Sequence, residues 1–254
     1  MPKKAQVTAF IIVGVSFVLA MVFAFFLRNS IIEAVKGEAG TRAILNNKMN
    51  SIERKIYECI EDLTVPAIKT LAKQGGTFNN VNYIVFNGDK IEYLCEMGEE
   101  KGINHPLLLN DVASRLENYL QPKYEECISL EDFRTRGIEM DAGEMKTNIT
   151  IKDKQVVVEI VWPISLERKG IKVEKEKFVR EINLPLGKLI EAANDVLNTH
   201  CFAGAFNPSL YSISHNHEFA VLRYYVGKNV VYKVLYKDTK YDFPFQVGIK
   251  NVQA

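Results

Sequence analysis

The residues best suited to chemistry lie near the end of the chain. His215-Asn216-His217-Glu218, with His200 upstream, brings imidazoles and a carboxylate into one neighbourhood of the sequence. In a strand, His215 and His217 would share a face, and two imidazoles with a carboxylate hold zinc. His215, His217, Glu218 and His200 are therefore the metal candidates. Ser212, Ser214 and Asn216 surround them, and a polar loop with exposed histidines accounts for the segment as well. Cys201 follows His200, but sequence neighbours seldom point at each other, and catalytic Cys–His pairs are assembled by the fold. The acid pairs Glu99-Glu100 and Glu125-Glu126 read as solvated charge, because a glycosidase needs a carboxylate separation that sequence does not show. Nucleophile-elbow, His-Glu-x-x-His, phosphate-loop and dinucleotide patterns do not occur. The expectation is a non-enzymatic protein with no cofactor.

A second group suits recognition. Tyr224, Tyr225, Tyr232, Tyr236, Tyr241, Phe243 and Phe245 are interleaved with Arg223, Lys228, Lys233, Lys237 and Lys240. Tyrosines with basic residues on a sheet bind sugars or an anionic polymer, which makes Tyr225, Tyr232, Lys233 and Tyr236 the ligand candidates. The competing reading puts the aromatics on the core face and the lysines in water. A net charge of +1, spread along the chain, argues against a nucleic-acid partner.

Cys59, Cys95, Cys127 and Cys201 are widely spaced, with no Cys-x-x-Cys pair, so a zinc ribbon or thioredoxin-like site is not expected. An even number fits two disulfides in an oxidising compartment; four buried thiols are the alternative. Of three pairings, the matching contexts Glu58-Cys59-Ile60 and Glu126-Cys127-Ile128, each towards a helix end, favour Cys59 with Cys127 and leave Cys95 with Cys201. One glycosylation triplet is present, Asn148-Ile149-Thr150; Asn207-Pro208-Ser209 is excluded by its proline.

These residues must be positioned by the rest of the chain. Leu45, Met49, Ile52, Ile56, Ile60 and Leu63 recur at helical spacing over 41–73. Pro66 is expected to kink or restart that helix, Gly37 and Gly40 to loosen its start, and Gln74-Gly75-Gly76 to stop it. Asn87-Gly88-Asp89 between Tyr83–Phe86 and Ile91–Leu94 predicts a hairpin. Leu108, Leu109, Val112, Leu116 and Leu120 predict a second helix, ended by Pro122. From about Arg134 the period becomes two: Met145 to Ile151 and Val156 to Trp162 form a hairpin about Asp153-Lys154, with Asn148 on its polar face. Further strands are expected near Ile164–Glu167 and Phe178–Ile182. Pro185 opens a helix facing inward through Leu186, Leu189, Ile190, Ala193, Val196 and Leu197. Strands at Glu218–Val226, Asn229–Tyr236 and Phe245–Ile249 close the chain. Separate runs of helices and strands indicate an α+β fold with antiparallel pairing.

Val7 to Leu27 carries no charge and rises about 31 Å as a helix, the thickness of a bilayer's hydrocarbon core. Lys3 and Lys4 precede it with no acid nearby, which orients the N-terminus to the cytoplasm. Phe25, Phe26, Leu27 and Arg28 stand where a secretory cleavage site would be, so a retained anchor is expected rather than a removed signal. The organisation follows: a cytoplasmic basic tail at 1–6, a transmembrane helix at 7–28, an amphipathic helical stalk at 29–76, and an extracytoplasmic domain of antiparallel sheet with packed helices at 77–254.

Lys3-Lys4-Ala5-Gln6-Val7-Thr8 running into the apolar stretch resembles the class III signal peptide of archaeal type IV pilin-like proteins. The resemblance implies cleavage on the cytoplasmic side, between Ala5 and Gln6, with the apolar helix retained. Many members carry Glu five residues into the mature chain; here Phe10 removes the charge that registers subunits in a filament. The later order of Glu58-Cys59-Ile60, Gln74-Gly75-Gly76, Glu126-Cys127-Ile128, a strand meander and Leu184-Pro185-Leu186-Gly187 is similar to membrane-anchored surface proteins of small-genome archaea. That likeness implies no activity. The expected function is envelope structure or adhesion by a single-pass cell-surface protein; the alternatives are a tethered extracellular ligand-binding domain and a metal-dependent extracytoplasmic hydrolase. Expected partners are the lipid bilayer and either further copies or other envelope proteins.

Overall fold

The computed structural model describes residues 3–98, 102–237 and 243–251, and gives the backbone alone for 3–15, 19–20, 24–36 and 102–103. The elements in chain order are α1 (Lys3–Lys73), β1 (Tyr83–Phe86), β2 (Asp89–Met97), β3 (Gly102–Asn104), α2 (Leu109–Cys127), β4 (Glu139–Ala142), β5 (Lys146–Ile151), β6 (Val156–Arg168), β7 (Ile171–Ile182), α3 (Leu186–Ala203), α4 (Pro208–Ser214), β8 (Phe219–Val226), β9 (Asn229–Tyr236) and β10 (Phe245–Asn251). The α+β expectation holds, with one exception to antiparallel pairing: β10 runs parallel to β2. Every other strand pair is antiparallel.

A single 71-residue helix, α1 is about 106 Å long at 1.5 Å per residue. It passes unbroken through Gly37, Gly40 and Pro66, against the expectation of a loosened join and a restart. Pro66 is exposed, and so is Asp62, whose carbonyl loses its helical partner, so the lost bond falls on the solvent side of the helix rather than in the core. Residues 37–44 are exposed apart from half-buried Thr41, and the buried stripe begins at Leu45. It continues through Met49, Ile52, Ile56, Cys59, Ile60, Ala67, Ile68, Leu71 and Ala72, one face of a helix of period 3.6. The helix stops where Gly75 and Gly76 take left-handed φ of 79° and 86° and Gly76 N–H bonds Leu71 O at 2.8 Å.

Among the described residues no helix is long and apolar enough to cross a membrane. The run 7–27 lies within α1, mostly at positions whose side chains are outside that set. The large apolar side chains that are described there, Phe17, Val18, Met21, Val22 and Phe23, are all exposed, between 48% and 67%.

Helix α2 also outruns its expected end, passing Pro122 to reach Cys127. Pro122 and Asn118, whose carbonyl it leaves free, are both exposed. What holds the extension is further along. Tyr124 is fully buried, its hydroxyl 2.6 Å from Thr64 Oγ1, and Cys127 is bonded to Cys59. Burial pushes the Tyr124 phenol up to about 12, which keeps the hydroxyl neutral and hydrogen-bonding.

One sheet has the order β1-β2-β10-β9-β8, with β3 also on β2; the other has β4-β6-β5, with β7 on the far side of β6. The β1–β2 turn is the two residues Asn87-Gly88, both at positive φ, as the sequence signal requires. Ile164–Glu167 is not a separate strand but the second half of β6, and β4 pairs there. Pro163 fits because the ladder shifts register between Val161 and Ile164. Its carbonyl accepts from Gly143 N–H at 2.8 Å, and Trp162 Nε1 donates to Gly143 O at 2.9 Å. Helices α1 and α2 cover the second sheet and α3 the first, so the buried faces merge into one core. Cys95–Cys201 ties β2 to the last turn of α3. The two bridges close loops of 68 and 106 residues, each contributing about 4–5 kcal/mol in the chain-entropy account.

Gly187 lies where the first turn of α3 meets the β5–β6 turn: a Cβ would stand 2.5 Å from Lys152 O, a backbone atom with no room to move. Gly187→Ala is expected to cost roughly 1–3 kcal/mol. The measurement is urea unfolding, with a lowered midpoint and an unchanged slope.

Candidate functional site

Among the described residues the histidines do not come together as a metal centre. His215–His217 is not a strand but the turn leaving α4, with Asn216 and His217 at φ of 50° and 61°. His215 lies against the Tyr211 ring at 4.0 Å and its Nδ1 donates to Tyr211 O at 2.9 Å. His217 Nδ1 is 3.4 Å from Ser212 Oγ, and Glu218 is exposed. His200 is elsewhere, buried in α3 with Nδ1 2.8 Å from Tyr232 Oη. Among the described residues no three His, Cys, Asp or Glu side chains are placed to hold a metal ion.

Cys201 is disulfide-bonded and so is no thiol nucleophile. No cysteine is free, as in a protein of an oxidising compartment. Glu125 accepts from Gln121 at the surface and Glu126 is exposed; Glu99, Glu100, Lys240 and Tyr241 lie outside the described residues.

The aromatic group at the C-terminus divides between two faces. Tyr232 and Tyr236 point into the core, 0% and 5% exposed, and are not available to a ligand. Both sit at alternate positions of β9 with Val230 and Val234, on the face that α3 covers. Lys233 takes the opposite face with Val231. Its Nζ lies 5.0 Å from the Phe86 ring centre and 5.6 Å from that of Tyr224. Around it Ile84, Ile91 and Val231 form a second small cluster, bordered by Phe86, Tyr93, Tyr224 and Val226. Lys250 Nζ stands 5.9 Å from the Tyr93 ring. Tyr225, 68% exposed, lies off this group with Arg223 5.4 Å from its ring.

Tyr93 also lines a cleft of about 450 Å³, with Asn82, Glu92, Glu96, His105 and Arg115 among others. Glu92 builds its wall: Oε2 accepts from Val81 N–H at 3.1 Å and Oε1 from Asn82 N–H at 3.2 Å, pinning the 77–82 loop to β2. Arg115 donates to Gly76 O at 2.8 Å and closes the floor at the end of α1. Tyr93 and Glu96 belong to both cleft and face, Glu96 accepting from Asn82 and from Lys250. Phe86, Tyr93, Glu92 and Arg115 were not among the sequence candidates. Phe86 comes from a segment far from Lys233 and is brought beside it by the sheet order β1-β2-β10-β9. Cation, ring, carboxylate and amide groups thus share this region of the surface. No family model matches this chain, and no curated protein and no solved structure matches it either.

Burial, and then the charge of Arg223, hold the His200 imidazole below its ordinary 6.5. The folded state thus binds this proton more weakly than the unfolded chain, and the neutral ring's contribution is complete above pH 6.5 and lost as pH falls below it. Stability in urea is expected to drop between pH 7 and pH 5, and His200→Gln to flatten that drop while lowering stability at pH 7.

Proposed function

We propose that the chain is a non-enzymatic, single-pass cell-surface protein, pilin-like in its anchor, whose disulfide-braced domain serves envelope structure or adhesion. The observation that carries this reading is the course of α1. From Leu45 onward it is built into the core, while the side chains described before that point are exposed, apart from half-buried Thr41. Among them Phe17, Val18, Met21, Val22 and Phe23 are bare. Exposed apolar surface of that kind requires a cover, and a bilayer supplies one to a helix whose backbone is satisfied internally. The anchor then spans residues 7–28 with the N-terminus inside, Ala5 and Gln6 flank the processing site, and the domain stands outside, where both disulfides persist.

The test is the mass of the intact protein taken from its native membrane. Loss of residues 1–5, retention of the apolar helix and a gain of four hydrogens on reduction are expected. Cleavage beyond Leu27 would make the domain a secreted one and sink the anchor.

A second reading, a tethered binding domain, is favoured by the continuity of the Lys233 face with the cleft through Tyr93 and Glu96. Recognition of an envelope polymer by that face predicts that Lys233→Ala weakens binding about tenfold, the equivalent of one desolvated cation–ring contact. Tyr225→Ala leaves it unchanged. Pull-down on isolated cell-wall polymer checks both.

A further inference from the structure

The second sheet presents an open face next to the Asn148-Ile149-Thr150 triplet. Along β5, Thr147, Ile149 and Ile151 are buried and Lys146, Asn148 and Thr150 are exposed, so acceptor amide and hydroxyl stand on the same side of the strand. The register sets Asn148 opposite Glu159 and then Val179, between a row of Thr150, Val157 and Glu181 and a row of Lys146, Val161 and Lys177. Three valines thus lie within two strand spacings of Asn148, about 10 Å. Val179 is 47% exposed, and Val157 and Val161 are half-buried. Asn207, in the triplet with proline, is placed otherwise: its Oδ1 accepts from Ser209 and Leu210 N–H, both at 3.1 Å, as the cap of α4.

We infer that Asn148 is a glycosylation site whose glycan lies across the β5–β6–β7 face and covers Val157, Val161 and Val179. Asn148 Nδ2 bonds to the anomeric carbon of a lipid-phosphate-linked oligosaccharide. The bond from that carbon to the phosphate oxygen breaks, the phosphate leaves with the electron pair, and one amide proton is lost to a base of the transferase. The other amide hydrogen remains, so the contact of Nδ2 with Glu159 Oε1, 3.3 Å, survives the modification. Glu159 is held in turn by Lys177 at 3.6 Å, which keeps the polar row in place beneath a sugar. The apolar faces of the sugar rings meet the valines, and their hydroxyls meet Lys146, Lys177 and Glu181.

This inference rests on the extracytoplasmic placement proposed above. The test is intact mass of the full chain from its native envelope, with and without reduction, for the native sequence, Asn148→Gln, Thr150→Ala and Thr150→Ser. A mass above that of the polypeptide, lost in Asn148→Gln and Thr150→Ala and kept in Thr150→Ser, is the expected result. Thr150→Ala leaves the amide and the exposed surface of Asn148 intact, so its loss reports the acceptor motif rather than folding. A bare polypeptide mass with both disulfides present would overturn the glycan and leave the surface reading standing. A bare mass with free thiols would overturn both.

Discussion

The apolar stripe of α1 from Leu45 to Ala72 is the surface against which the rest of the domain is assembled. It meets α2, β6 and β7 along its length and reaches β2 and β10 near its end. Thr64, in the middle, is buried among apolar neighbours and has to be satisfied locally: its hydroxyl reaches Ile60 O within the helix and Tyr124 Oη across to α2. A buried hydroxyl without a partner costs about 1–3 kcal/mol, so this pair restricts how α2 can lie. Cys59–Cys127, close by, makes the same restriction covalent.

Much of the fold was legible because its signals are local. Period-two alternation from Met145 to Trp162 named the buried side of β5 and β6 correctly, residue by residue, and Asn87-Gly88 marked its hairpin. The shared Glu-Cys-Ile context selected the disulfide pairing that the structure has. Both departures came from proline: an expected kink or restart at Pro66 and an expected end at Pro122. Pro66 and Pro122 each forfeit a hydrogen bond on an exposed face, which is a small loss beside the burial of Ile68, Leu71 and Tyr124 that lies beyond them. Propensity yields to packing in such cases, and packing is a non-local quantity.

The candidate surface was less legible, for a geometric reason. Tyr232 and Lys233 are neighbours in sequence and stand on opposite faces of β9, so one reading of the segment could not hold for both. Alternation separates them but does not say which face α3 will cover. His215 and His217 illustrate the complementary case: two left-handed residues turn the chain out of α4, and the spacing of two loses its strand meaning. The cleft was out of reach altogether, because Glu92, His105 and Arg115 meet only once β3 has paired with β2 and α2 has packed at the end of α1.

The unbroken passage of α1 into the core at Leu45 also has a mechanical side. A helix without a hinge is a strut: a load on the sheet face, with the N-terminus fixed, travels down α1 rather than being absorbed by a flexible joint. It enters the domain at Leu45 as shear along the buried stripe, where many contacts resist together. Should they give way, Cys59–Cys127 and Cys95–Cys201 interleave along the chain, so each bridge shortens the slack that the other encloses. The domain is therefore cross-braced against tension in the direction from which a tethered protein would receive it.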